Sequence, residues 1–204
     1  MSNLLPNRSL LALLCAVGVL AWTASAHAEN KPKGAEAYWS IGFLGGVLAP
    51  QGDMSDTHKA GLAAGGRLGW TSRSGLGLYV AGQYSPLPRR ATGDPVESFE
   101  THFGTLTLEP TFTLRWRRLR LWLSAGGGAA AERTRHVYRG MNGQRRTDYV
   151  PAASATAGLE LHLFSGGGLV VQGNYTRLFG ELGFVDGLEY EFANLTGGVV
   201  FLFR

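Results

Sequence analysis

Residues 105–125 read TLTLEPTFTLRWRRLRLWLSA, and this stretch decides the fold. Two alternating runs meet at a very short basic turn. Leu106, Leu108, Phe112, Leu114 and Trp116 share one face, and Thr105, Thr107, Glu109, Thr111 and Thr113 share the other. After the turn, Leu119, Leu121, Leu123 and Ala125 oppose Arg120, Trp122 and Ser124. A period of two over this length means paired β-strands. One face is almost unbroken hydrocarbon; the other is polar yet poor in charge. That is the pattern of a strand with lipid on one side and a polar lumen on the other. A two-faced soluble strand is the alternative, and one hairpin does not separate them.

The start of the chain carries a different signal. Asn7 and Arg8 close a short basic region, Ser9 to Trp22 is mostly apolar, and Ala26-His27-Ala28 is an A-x-A cleavage site. Residues 1–28 therefore read as a secretory signal peptide, cleaved on export, and 29–204 as one domain. The lone cysteine, Cys15, lies inside the segment to be removed, behind Leu13 and Leu14, so it is not a lipoprotein site. Disulfides then play no part, and strand pairing must supply the stability. The formal charge of +4 is a weak excess that argues no nucleic-acid partner. The 30 glycines are about twice the usual share, and most fall inside β-like runs.

The same alternation recurs along the chain. Strands are expected at Tyr38–Leu48, Gly61–Thr71 and Gly75–Ser85, then the two runs already quoted. Three more follow, at about Tyr149–Leu163, Leu169–Leu178 and Leu195–Phe203. Long connections are expected at Pro50–Lys59, Pro86–Glu100, Glu132–Asp148 and Phe179–Gly187. Short turns are expected at Ser72–Ser74, Arg117–Arg118 and Ser165–Gly168. Pro110 sits mid-strand and must interrupt a ladder bond or mark a bulge. The count is eight, with connections alternating long and short. This predicts an all-β, eight-stranded antiparallel up-and-down transmembrane β-barrel. The aromatics agree: outward Trp39, Trp70, Trp116 and Phe203 fall near the short turns, and Tyr84, Tyr149 and Tyr175 near the other rim. A soluble eight-stranded barrel of the lipocalin kind would instead expose its polar face, which would normally be rich in Lys and Glu. Here that face is mostly Thr, Ser, Gly and Ala.

On this architecture, Tyr38 to Arg204 resembles the small outer-membrane β-barrel proteins of Gram-negative bacteria, of the eight-stranded type. The last strand, LTGGVVFLF, is similar to that family's assembly signal, although Arg204 follows the aromatic Phe203. The resemblance implies a bacterial outer-membrane location, with periplasmic chaperones and the barrel-assembly machinery as partners. It spans structural barrels, adhesins, small-solute channels and lipid A-modifying enzymes, so it does not fix a function.

Two groups of residues are candidates for function. Arg67, Glu109, Arg120, Glu160 and His162 fall on the inward faces. Buried charges need partners, so an internal ion-pair network is expected, with Glu109–Arg120 and Arg120–Glu160 as cross-strand pairs. A charge-lined conducting path is the other reading. Arg133, Arg135, Arg139, Arg145 and Arg146 crowd the connection Glu132–Asp148, where guanidinium groups would suit lipopolysaccharide phosphates. No serine completes a triad with His162 and Glu160. The sequence holds no metal-ligand or nucleotide-binding motif, and no cofactor is expected. The expected role is a structural or surface-interaction barrel displaying four loops. A narrow small-solute channel is the alternative, and a lipid A-modifying enzyme a more distant one.

Overall fold

The computed structural model describes residues 37–88, 96–138, 144–164, 166–180 and 190–203. The expected signal peptide, Arg139, Arg204 and most of the Phe179–Gly187 connection lie outside them. The strands are β1 (Tyr38–Gln51), β2 (Gly61–Thr71), β3 (Leu76–Pro88), β4 (Val96–Trp116), β5 (Leu119–Tyr138), β6 (Gln144–Phe164), β7 (Gly167–Leu178) and β8 (Glu191–Phe203). A one-turn helix, α1 (Met54–Thr57), lies between β1 and β2.

Each strand pairs antiparallel with the next, and β1 pairs with β8 from Trp39↔Phe203 to Gln51↔Glu191, closing the barrel. Closure leaves no sheet edge, so every strand finds ladder partners on both sides. The barrel has a turn end, with the three tight connections, and an opposite loop end. No helix among the described residues is long and apolar enough to cross a membrane.

The alternation puts side chains where the sequence predicts. Trp39, Phe43, Leu68, Trp70, Leu78, Leu108, Trp116, Leu121, Leu159 and Phe203 point outward and are exposed. Thr107, Glu109, Thr111, Trp122, Ser124, Thr156 and Glu160 point inward and are buried. The register of the last strand resolves in the same way, with Leu195 and Val199 outward and Val200 buried.

Pro110 faces outward, and the β4–β5 pairing passes over Glu109 and Pro110. The pairing runs from Leu108↔Gly127 to Thr111↔Ser124 in one register. The missing N–H interrupts the ladder there without adding a residue to either strand.

Three expectations need correction. Much of the Pro86–Glu100 and Glu132–Asp148 connections is strand, not loop. β5 and β6 stay paired out to His136↔Gln144, and β3 and β4 to Pro88↔Glu100. Once a hairpin register is set, each further residue satisfies its backbone by continuing the ladder, whatever its side-chain polarity. Apolar alternation alone therefore ends the strands too early. Pro50–Lys59 is not wholly irregular, since α1 buries Met54 completely. Nor is the interior polar throughout. Leu48, Ala63, Leu87, Phe103, Val150, Ala152, Leu178 and Phe192 form an apolar cluster with Met54 and Tyr190 at the loop end of the barrel.

Candidate functional site

The interior is stacked in three layers. At mid-height, the Glu109 carboxylate from β4 collects hydroxyl donors from three strands. Thr107 and Ser154 donate to Oε1 at 2.9 and 2.7 Å, and Ser124 and Thr156 to Oε2 at 2.7 and 3.4 Å. The network continues sideways. Asn174 donates to Thr156 at 2.7 Å, and Asn194 donates to Gln83 at 2.6 Å and to Asn174 at 3.1 Å. Hydrogen bonds to a charged group are the strong ones; here they tie β4, β5 and β6 at one carboxylate, and the neutral amide bonds extend the network to β7, β8 and β3. A cavity of about 30 Å³ lies beside this network, lined among others by Arg67, Glu109, Trp122, Gln172 and Thr196. That is room for about two water molecules at most.

Toward the turn end, Arg67 from β2 is held between two rings. Its guanidinium lies 3.6 Å from the Trp122 ring centroid and 4.0 Å from that of Tyr79. Two glycines make the space: a Cβ at Gly69 would collide with Tyr79, and one at Gly158 with Trp122. The Tyr79 hydroxyl is fixed by Ser40 and Thr71, both at 2.9 Å. Near this end, Tyr38 lies under Arg120 at 4.3 Å and Arg115 at 4.8 Å. Glu160 faces Arg120 at 3.9 Å and His162 at 3.5 Å.

At the loop end an apolar cluster fills the barrel, accompanied by the buried polar pairs His58–Thr101 and Thr134–Glu132. Phe103 and Phe192 meet with ring centroids 5.0 Å apart. Beyond the strands, burial together with the nearby Glu132 and Asp148 carboxylates pushes the Tyr190 phenol up to about 12.

All five predicted interior residues point inward, but they do not form one network. Glu160 does meet Arg120, and His162 joins them. Glu109 has no ion pair with Arg120, because the β4–β5 register sets Arg115 across from Arg120 and leaves Glu109 among hydroxyls. Hydroxyl donors from neighbouring strands already fill its coordination sphere.

Of the predicted basic group, Arg133 is exposed. Arg146 is held by Asp148 at 2.8 Å. Arg135 and Arg145 are cross-strand neighbours on the β5–β6 ribbon. Tyr38, Tyr79 and Arg115 were not singled out from sequence, although each has the inward parity of its strand. Ser154 donates to Glu109, so it is not held as a nucleophile beside His162. No cluster of three or more metal-ligating side chains exists among the described residues.

No protein-family model matches the chain, and no curated protein sequence matches it. Solved structures do. A major outer membrane protein from Thermus thermophilus superposes with a TM-score of 0.59 at 13% identity, covering 82% of this chain and 99% of that one. Neisserial surface protein A gives 0.56 at 11% identity, covering 81% and 97%. The chain shares the closed β-barrel fold of these outer-membrane proteins.

Proposed function

We propose that the protein is a closed, outer-membrane anchoring barrel that presents its loop end at the cell surface. The observation that carries this is the outward wall. From Trp39, Trp70, Trp116 and Phe203 at the turn end to Tyr84 and Tyr175 toward the loop end, the outward residues include no charged side chain, and the first charges beyond, Arg177 and Glu191, pair with each other at 3.4 Å. Only a hydrocarbon environment stabilises so much exposed apolar surface, and aromatic rings at both margins suit its two interfaces. Short turns would then face the periplasm, and periplasmic chaperones and the barrel-assembly machinery would deliver the chain.

The filled interior supports a display role over transport. Stacked rings occupy the turn end, a hydroxyl-bound carboxylate the middle and an apolar cluster the loop end. The β5–β6 ribbon would carry Arg133, Arg135, Arg145 and Arg146 beyond the lipid, with Arg139 in its connection. We propose that this ribbon contacts lipopolysaccharide phosphates.

Heat-modifiable migration in detergent gels and surface proteolysis of intact cells test the placement. A chain that migrates identically boiled and unboiled, and is never cleaved from outside, would overturn it. For the ligand, charge reversal at Arg133 and Arg146 should weaken lipopolysaccharide retention by the purified barrel, and unchanged retention would remove that reading.

A further inference from the structure

The three tight turns include a second basic group that the surface reading does not use. Arg73 lies in the β2–β3 turn, and Arg117 and Arg118 form the two-residue β4–β5 turn; all three are exposed. The first two turns are held side by side, because Arg115 donates to the Ser72 carbonyl at 3.2 Å and the Thr113 N–H to the Gly75 carbonyl at 2.8 Å. None of the three guanidinium groups has an ion pair among the described residues, whereas at the loop end Arg146 and Arg177 each face a carboxylate. The only carboxylate described near the turn end is Glu160, which is buried with Arg120 and His162.

Two further features bear on this group. Trp116 adjoins Arg117 in sequence and is 71% exposed on the outward wall, so the arginines sit just past the aromatic belt, at headgroup depth. Arg117 also has φ of 54°, and it is the one non-glycine residue with positive φ among those described. The first central position of a two-residue hairpin turn with positive φ is ordinarily glycine's. An arginine kept in a strained position points to a use for its side chain.

We propose that Arg73, Arg117 and Arg118 form a binding site for an anionic phospholipid headgroup of the periplasmic leaflet. Guanidinium forks would take the phosphate while Trp116 packs on the upper acyl chain. This rests on the membrane placement above.

The test uses the full barrel in phosphatidylcholine nanodiscs, with spin-labelled phosphatidylglycerol or phosphatidylcholine as probe. At low salt the protein should hold the anionic probe several-fold more strongly, and salt should erode the preference. Arg117→Gly should cut the preference by about fivefold, the factor to which about 1 kcal/mol corresponds. It should also leave the urea midpoint equal or higher, since glycine fits the turn. The triple variant with Arg73→Ser and Arg118→Ser should hold both probes equally.

A triple variant with an undiminished preference would overturn the site. So would a lowered midpoint for Arg117→Gly, which would make the arginine a structural part of the turn. If inorganic phosphate at matched ionic strength displaced the lipid probe, the site would be one for free phosphate. Heat-modifiable migration reports the barrel separately, so failure of the membrane placement is distinguishable from failure of the site.

Discussion

The guanidinium of Arg67 lies over the Trp122 ring, 3.6 Å from its centroid, at the turn-end side of the central carboxylate network. A buried cation without a carboxylate would ordinarily be costly. Here ring faces on both sides supply the compensating field, and a desolvated contact of this kind contributes about 2 kcal/mol. The pair is possible only because Gly158 leaves the Trp122 ring its space.

Trp122→Ala should therefore lower barrel stability by about 3–5 kcal/mol, combining the lost ring with the cavity it leaves. Gly158→Val, which alters no interior charge, should cost about 1–3 kcal/mol through the forced displacement of the same ring. Urea unfolding in lipid vesicles, followed by Trp fluorescence for Gly158→Val and by gel migration for both, measures them. A stable, unperturbed Gly158→Val barrel would contradict the packing.

Glu109→Leu should cost about 2–3 kcal/mol. The hydroxyls of Thr107, Ser124 and Ser154 would lose their common acceptor in a buried setting. Arg120→Leu should leave these three bonds intact, because Glu109 and Arg120 are not paired. A double-mutant cycle should give no coupling beyond about 0.5 kcal/mol, as for independent sites.

Phe192→Ala should cost about 3–5 kcal/mol by opening the apolar cluster at the loop end. In planar bilayers the wild type and this single variant should stay silent, because the Arg67 stack still fills the opposite side. The Phe192→Ala, Trp122→Ala double variant should stay silent as well, because the Glu109 network still fills the middle of the lumen. A conducting wild type would show that the side-chain filling does not close the lumen.

Tyr190 should report on the loop end at high pH. Its proton is held more tightly in the folded barrel than in the unfolded chain, where a phenol titrates near 10. The associated stability is fully present below pH 10 and is lost as pH rises toward about 12. The difference between wild type and Tyr190→Phe in ultraviolet absorbance titration should show one phenol ionising near the upper value. A difference curve centred at pH 10 would contradict its burial.

The sequence by itself determined the strand count, the antiparallel order, the outward faces and the inward direction of Arg67, Glu109, Arg120, Glu160 and His162. Side-chain direction follows from a period of two, which is local and needs no partner strand to be seen. Only the tertiary structure decided who meets whom across the lumen. Glu109 and Arg120 lie on adjacent strands with the same inward sense, yet register sets them at different heights, and hydroxyls from β5 and β6 take Glu109. The apolar loop-end cluster was hidden for a related reason. Leu87, Phe103, Leu178 and Phe192 look unremarkable singly, and become a core only when closure brings their strands around one axis. The ribbon formed by β5 and β6 likewise escaped a hydropathy reading, because its continuation is held by backbone pairing, to which alternation of side chains gives no clue.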